Sequence, residues 1–307
     1  MTAPYDWLAV DWGTTHLRVW AMAAGAVADT RCAAYGMARL DGPAAFARAF
    51  AEITAGWTPA RRPAPVVVCG MAGAREGWHP AAYAAHDTEL RELPRAAVRV
   101  PGTGPDHDVR ILPGLRQSAP PDVMRGEETK LMGLVAEDAR TSGVVVLPGT
   151  HTKWVRLERG RVARFHTAMT GEVFAAVAEH TVLRHTLGGD GEPDPGDFAP
   201  AVAEARAAPA ALLRRAFGLR AEALLNGLAP DLARARLSGW LTGLEVADAL
   251  DQLRAPERVI LVGEPAQVER YATALAVFDV ACDRRDGAGL ARAGLGLAFD
   301  RLFQGAS

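Results

Sequence analysis

Three cysteines in 307 residues exclude a disulfide framework. Cys32, Cys69 and Cys282 are scattered, odd in number and without zinc-ligand spacing, so they read as reduced thiols of a cytoplasmic protein. Cys69 and Cys282 lie in apolar runs and are expected to be buried. No apolar run is long enough to span a bilayer. No basic stretch followed by an apolar one marks a signal peptide. An excess of one charge is also missing: 34 basic and 36 acidic residues leave a net charge of −2. That excludes the electrostatic footprint of a nucleic-acid or anionic-membrane partner. Neither G-x-G-x-x-G after a strand nor G-x-x-x-x-G-K-[ST] occurs, which argues against dinucleotide and P-loop sites. What remains is the composition of a globular protein long enough for two domains with a well-buried core.

The most informative stretch present is Asp11-Trp12-Gly13-Thr14-Thr15-His16-Leu17-Arg18. Apolar runs flank it, so it reads as strand, tight turn, strand, with an acid ending the first strand. Such a turn offers backbone N–H groups and hydroxyls to a phosphate, while Asp11 can hold a hydrated Mg²⁺. An ordinary hairpin capped by Asp reads the same way. A second copy shifts the balance. Val144-Val145-Val146-Leu147-Pro148-Gly149-Thr150-His151-Thr152-Lys153-Trp154 repeats strand, Gly-Thr turn and strand about half a chain later. Two such hairpins, one per half, resemble the layout of the actin, hexokinase and Hsp70 ATPase superfamily, in which two lobes grip a nucleoside triphosphate from opposite sides.

The rest of the chain alternates strands and helices, which predicts an α/β fold. Strands are expected at 6–12, 17–23, 26–35, 65–69, 109–112, 144–148, 153–158, 161–167, 258–263 and 277–280. A helix is expected from Asp41-Gly42-Pro43 to about 55. Another opens with Met124–Lys130 and runs to about 137, with Leu131, Leu134 and Val135 on one side. Further helices are expected from 173, through the Ala-rich stretch 198–255, and from 287 to 303. Ser118–Asp122 reads as a Pro-rich connector, and Gly188–Asp197 as a solvated acidic loop whose spacing does not fit calcium. Two lobes follow, 1–122 and 123–307, the second carrying the helical insertion and the last helix packing back at the hinge.

Six sequence blocks, running the length of the chain in order, are similar to the 2-dehydro-3-deoxygalactonokinase family. They are Ala9–Thr15 with Leu17-Arg18, Gly70–Gly73 with Gly77-Trp78, Met124–Thr129, Leu147–Val155, Met169–Glu172, and Val262-Gly263 followed by Tyr271. Lys130 stands where that family usually has Gln. The resemblance implies two ribonuclease-H-like lobes with a nucleotide cleft. It also implies transfer of the ATP γ-phosphoryl group to the 6-hydroxyl of 2-dehydro-3-deoxy-D-galactonate in galactonate breakdown.

Phosphoryl transfer needs charge neutralisation, in-line positioning and a base for the attacking hydroxyl. Asp11 is the metal candidate. Gly13, Thr14 and Thr15 from one hairpin, and Gly149, Thr150, His151 and Thr152 from the other, are the phosphate candidates. Gly263 and Glu264 are expected beside adenosine, though Val-Gly-Glu-Pro is also a generic strand-to-helix turn. Glu127 and Glu128 compete for the role of base, against a simple preference for acids in a first helical turn. Lys153 is a candidate for stabilising charge on the transferring group. Arg18, Arg75 and Arg125 compete for the substrate carboxylate, and Glu172 for a sugar hydroxyl. Trp12, Trp78 and Trp154 read as core packing, and His180 and His185 as surface residues. Two rivals keep the fold: another sugar or sugar-acid kinase or an exopolyphosphatase-like phosphohydrolase, and a non-catalytic ATP-driven conformational protein. Oligomeric state is open.

Overall fold

The computed structural model describes residues 4–188, 195–253 and 258–305. Most of the loop expected over Gly188–Asp197 lies outside them, as do residues 254 and 255 of the expected helical stretch. The chain opens with β1 (Trp7–Trp12), β2 (Leu17–Ala23), β3 (Ala26–Ala33), α1 (Gly42–Thr54) and β4 (Ala64–Gly70). Short strands β5 (Tyr83–Ala85), β6 (Val98–Arg99), β7 (His107–Ile111), β8 (Gly114–Ser118) and β9 (Pro121–Met124) precede α2 (Glu127–Glu137). A second strand triplet follows: β10 (Gly143–Leu147), β11 (Thr152–Glu158) and β12 (Arg161–Ala168). Then come α3 (Thr170–His180), α4 (Pro195–Ala207), α5 (Leu212–Asn226) and α6 (Pro230–Gln252). The chain ends with β13 (Arg258–Gly263), α7 (Pro265–Val277), β14 (Ala281–Asp286) and α8 (Gly287–Phe299), which runs into a π-helical turn at Asp300–Gln304.

Two compact units result. The first contains residues up to Ser142, Leu157–Phe165 and everything from Gly287; the second contains Gly143–Arg156 and His166–Asp286. The expected boundary at 122/123 does not coincide with this division. The reason is α2, which packs on α8 inside the first unit. Gly133 and Gly294 sit at their crossing, where a Cβ on either would overlap a backbone carbonyl of the other helix, Leu290 O and Thr129 O respectively. Only glycine permits helices to approach so closely.

The first unit is built on a sheet of order β3-β2-β1-β4-β7-β6. β1 is parallel to β4 and antiparallel to β2. Side chains alternate across it. Leu8, Val10, Trp12, Val66 and Val68 point to a core shared with Phe46 and Phe50 of α1. Those two belong to the helical stripe Phe46, Ala49, Phe50 and Ile53. Trp7, Ala9 and Asp11 point to the other face, where Trp7 stacks on Phe299 at 4.4 Å. A small sheet, β5-β8-β9, was not expected. Its β8–β9 hairpin uses Ala119-Pro120 as its turn, so Ser118–Asp122 is a hairpin and not a connector.

The five-stranded sheet, most of whose residues lie in the second unit, has the order β12-β11-β10-β13-β14, which repeats the order of the first five strands of the other sheet. β13 is parallel to both β10 and β14. The strand expected at 277–280 is displaced. Val277 closes α7, Phe278–Val280 is its turn, and the strand is the charged run Ala281–Asp286 at the sheet edge. Charged side chains suit an edge strand because they discourage further pairing. No helix among the described residues is long and apolar enough to cross a membrane.

Candidate active site

In the first unit, register decides what surrounds Asp11. It lies opposite Arg18 on β2 and Cys69 on β4, and directly paired residues share a face. The Cys69 thiol donates to Asp11 Oδ1 at 3.6 Å. Burial, then the charges of Asp11 and Glu128, push that thiol well above its ordinary pKa. Both carboxyl groups therefore lie within electrostatic reach of one buried sulfur, at the ends of β1 and β4 and the start of α2.

The two glutamates of α2 differ. Glu128 is only 1 % exposed, and both its oxygens accept the Gly126 N–H, at 2.9 and 2.7 Å. Burial first, and then the charge of Glu127, raise its pKa to about 8. Glu127 is half-buried, with Oε2 accepting the Arg125 N–H at 3.0 Å. Glu128 thus caps its own helix, whereas Glu127 keeps a face toward solvent.

The turn after Asp11 is pinned through its carbonyls. Gly13, Thr14 and Thr15 accept N–H groups from Met37, Ala38 and Gly36. Among the described residues, the amides and hydroxyls of Thr14 and Thr15 have no protein partner, and both residues are exposed. Arg75, on the turn after β4, is exposed and has no ion-pair partner among the described residues. Arg18 is half-buried beneath Asp11's row, 6.0 Å over the Trp20 ring. Arg125 is held by Ala81 O at 2.7 Å and by the Tyr83 ring at 4.3 Å, so it clamps the small sheet.

In the second unit the Gly149–His151 turn docks on the first turn of α3. The Glu172 N–H donates to Thr150 O at 3.2 Å. A Cβ on Gly171 would come within 2.9 Å of Gly149 O, so glycine is required for this approach. The amides of Gly149, Thr150 and His151 meet no protein acceptor among the described residues. His151 Nε2 lies 2.5 Å from Glu172 Oε2, which ties Glu172 to the turn. Thr152 and Lys153 turn inward. The Thr152 hydroxyl meets Tyr271 OH at 2.7 Å, and Lys153 Nζ donates to Thr167 Oγ1 at 2.9 Å. Gly263 is buried at the end of β13 near Pro148, and Glu264 is the exposed residue that precedes α7.

Sequence reasoning missed the group that holds this turn in place. Glu245, on α6, is buried and accepts from Trp154 Nε1 at 2.8 Å, from Tyr271 OH at 2.8 Å and from the Thr170 side chain. It therefore ties β11, α7 and the start of α3 to α6. The only signal was an acid between Leu244 and Val246 in an otherwise apolar stretch. Trp12, Trp78 and Trp154 are core residues, as expected, and His180 and His185 are exposed.

A cofactor has to suit these groups. Mg²⁺ binds through one or two carboxylates, retained waters and substrate phosphates. Among the described residues no cluster of three His, Cys, Asp or Glu is arranged to hold a metal. The single half-buried carboxylate of Asp11 fits that sparse donor set. Unpaired amides on two Gly-Thr turns fit phosphate oxygens.

The sequence model of the 2-keto-3-deoxy-galactonokinase family matches residues 11–298. A Rhizobium meliloti (strain 1021) protein described as a probable 2-dehydro-3-deoxygalactonokinase is 41% identical over 312 residues, covering 97% of this chain and 98% of its own. The 2-dehydro-3-deoxygalactonokinase of Escherichia coli (strain K12) is 34% identical over 276 residues, covering 88% and 89%. A crystal structure from Sinorhizobium meliloti, described as a candidate 2-dehydro-3-deoxygalactonokinase, aligns with a TM-score of 0.85 at 40% identity, covering 97% of this chain and 99% of that one. The duplicated strand order is that of the actin-like ATPase fold. With the motif turns in place and the match spanning both units, this chain belongs to the 2-keto-3-deoxy-galactonokinase family.

Proposed function

We propose that this chain transfers the γ-phosphoryl group of ATP to the 6-hydroxyl of 2-dehydro-3-deoxy-D-galactonate, as a cytoplasmic enzyme of galactonate breakdown. The observation that carries the reading is the meeting of Asp11, Cys69 and Glu128 at the ends of β1 and β4 and the start of α2, beside a turn with unpaired amides. Family membership supplies the substrate class.

Asp11 is the residue that would hold Mg²⁺, through water, and the ion would neutralise charge on the phosphates. The amides of Thr14 and Thr15 in one unit, and of Gly149, Thr150 and His151 in the other, donate to phosphate oxygens. The carbonyls of Thr14, Thr15 and Thr150 are already held by backbone N–H groups, so these turns need little reorganisation as charge develops. Glu127 accepts the proton of the attacking hydroxyl. As the new O–P bond forms, the bond to the β-phosphate oxygen breaks and ADP leaves. Glu128 keeps the start of α2 in place and does not touch the sugar. Arg75 grips the substrate carboxylate, because it is exposed and uncommitted where Arg125 is already engaged. Glu172 acts on His151 and so on the second turn. Gly263 and Glu264 flank the adenosine. The three unpaired thiols, with Cys32 exposed, suit a reducing compartment.

The test is ATP consumption by purified protein with Mg²⁺ over a panel. The panel is 2-dehydro-3-deoxy-galactonate, its gluconate epimer, neutral hexoses, polyphosphate and no acceptor. Turnover dependent on the galactonate compound is expected. Activity without a sugar, or on polyphosphate alone, would overturn both the substrate and the role of Glu127.

A further inference from the structure

The surface of α5 carries a feature that catalysis does not use. Leu213 is 84% exposed, Phe217 64%, Leu224 67% and Leu225 80%. Leu213, Phe217, Arg220 and Leu224 are spaced at 0, 4, 7 and 11, which places them on one stripe of the helix. The opposite side of the same helix, through Leu212, Ala216 and Leu219, packs into a core with Leu237 and Trp240. Helix α5 is therefore apolar on both sides, and only one side has a partner. Arg220 has no hydrogen-bond or ion-pair partner among the described residues. These residues offer roughly 400–500 Å² of apolar surface, at the upper end of what monomers leave open. A standard interface takes about 800 Å² from each partner, so α5 supplies about half. Val182, on the turn that packs beside α5, extends the same region.

The order of residues along the stripe identifies the occupant. A two-fold axis through its midpoint pairs each position with its mirror: Leu213 with Leu224 of a second copy, and Phe217 with Arg220 of that copy. Apolar meets apolar, and a guanidinium meets an aromatic face. A stripe that is complementary to its own reverse is what an isologous contact requires. We infer that α5 packs antiparallel against α5 of a second copy of this chain, making a two-fold dimer with Leu213, Phe217, Arg220 and Leu224 at its centre.

The test is sedimentation velocity on the full-length protein across a concentration series reaching about 50 µM, because dimer content follows concentration. A dimer is expected for the wild type. Phe217→Lys sets a like charge against Arg220 of the second copy and is expected to raise the dissociation constant by about 30-fold or more, the effect of losing a central anchor. Leu213→Lys and Leu224→Glu are each expected to weaken the dimer. The double variant is expected to restore it, because the two-fold axis pairs each new lysine with a new glutamate. A folding defect in α5 would not be rescued in this way. A wild type that stays monomeric throughout, or a dimer indifferent to Phe217→Lys, would overturn the inference. So would a double variant no tighter than its singles.

Discussion

Replacing Glu245 by alanine removes the acceptor that joins four elements of the second unit. Trp154 Nε1 loses its only partner among the described residues, in a side chain that is fully buried. Tyr271 OH keeps the Thr152 hydroxyl at 2.7 Å and is only half orphaned. Thr170 loses a contact at the first turn of α3. An unsatisfied buried donor costs about 1–3 kcal/mol, and the space left by the side chain adds to that. Against this, burial already pushes the Glu245 pKa above the ordinary carboxylate range, so removing it relieves some desolvation. The balance is a loss of about 3 kcal/mol. For a unit of this size that is a fall of roughly 6–12 °C in Tm. Glu245→Gln keeps an acceptor for Trp154 and is expected to lose about 1 kcal/mol. The assay is thermal unfolding followed by circular dichroism. The KM for ATP is expected to rise more than kcat falls, because the Gly149–His151 turn loosens while the groups at Asp11 are untouched. An alanine variant within about 1 kcal/mol of wild type, or one no worse than the glutamine variant, would refute the reasoning.

Three further outcomes are expected. Asp11→Asn should cut turnover by about 100-fold or more, the usual size of such an electrostatic loss, with an unchanged circular dichroism spectrum; normal activity would remove Asp11 from the metal role. Glu128 has a folded pKa of about 8 against 4.5 for the free group. Its contribution to stability is fully present below 4.5 and is lost as pH rises toward 8. The protonated acid is what the fold prefers, and about 1.4 kcal/mol per pKa unit makes this a loss on the order of 3–5 kcal/mol. Glu128→Gln stays neutral, so urea midpoints for wild type and variant should agree near the acid end of that window and diverge in favour of the variant at its alkaline end. Parallel curves would mean that Glu128 is ionised throughout. Gly294→Ala drives a methyl group into Thr129 O, and separating α2 from α8 should cost about 3 kcal/mol, read as a lowered urea midpoint.

The parts of the fold legible in the sequence were those written in alternation and turn chemistry. β1, β2 and the turn at Gly13 follow from apolar runs broken by Asp11 and Gly-Thr-Thr, and the second hairpin follows in the same way. The edge strand Ala281–Asp286 was illegible because ladder bonds and the ion pairs Arg258–Asp283 and Arg284–Glu269 hold it, and no apolar alternation marks it. Cys-Asp-Arg-Arg-Asp carries no apolar face, whereas the neighbouring Val277-Phe278-Asp279-Val280 imitates a strand while serving as the end of α7. Strands of three to five residues, such as β5 and β8, are too short to show a period. At the site, residue types announced Asp11 and the two turns. What separates Glu127 from Glu128 is burial and the direction of one N–H, and adjacent letters do not carry that. Glu245 was hidden because its partners lie 26 and 91 positions away.

Helix α8 belongs to the first unit, yet the ribosome makes it only after the main segment of the second. Residues 143–286 are synthesised between the first unit's main segment and the helix that covers its sheet. At about 5–20 residues per second, that interval is roughly 7–30 s. Throughout it, Trp7 lacks Phe299 and the face of α2 around Gly133 stands open. The second unit's main segment is complete before the first can close, so the order of maturation reverses the order of translation. Deleting α8 is therefore a lesion of the N-terminal half of the protein.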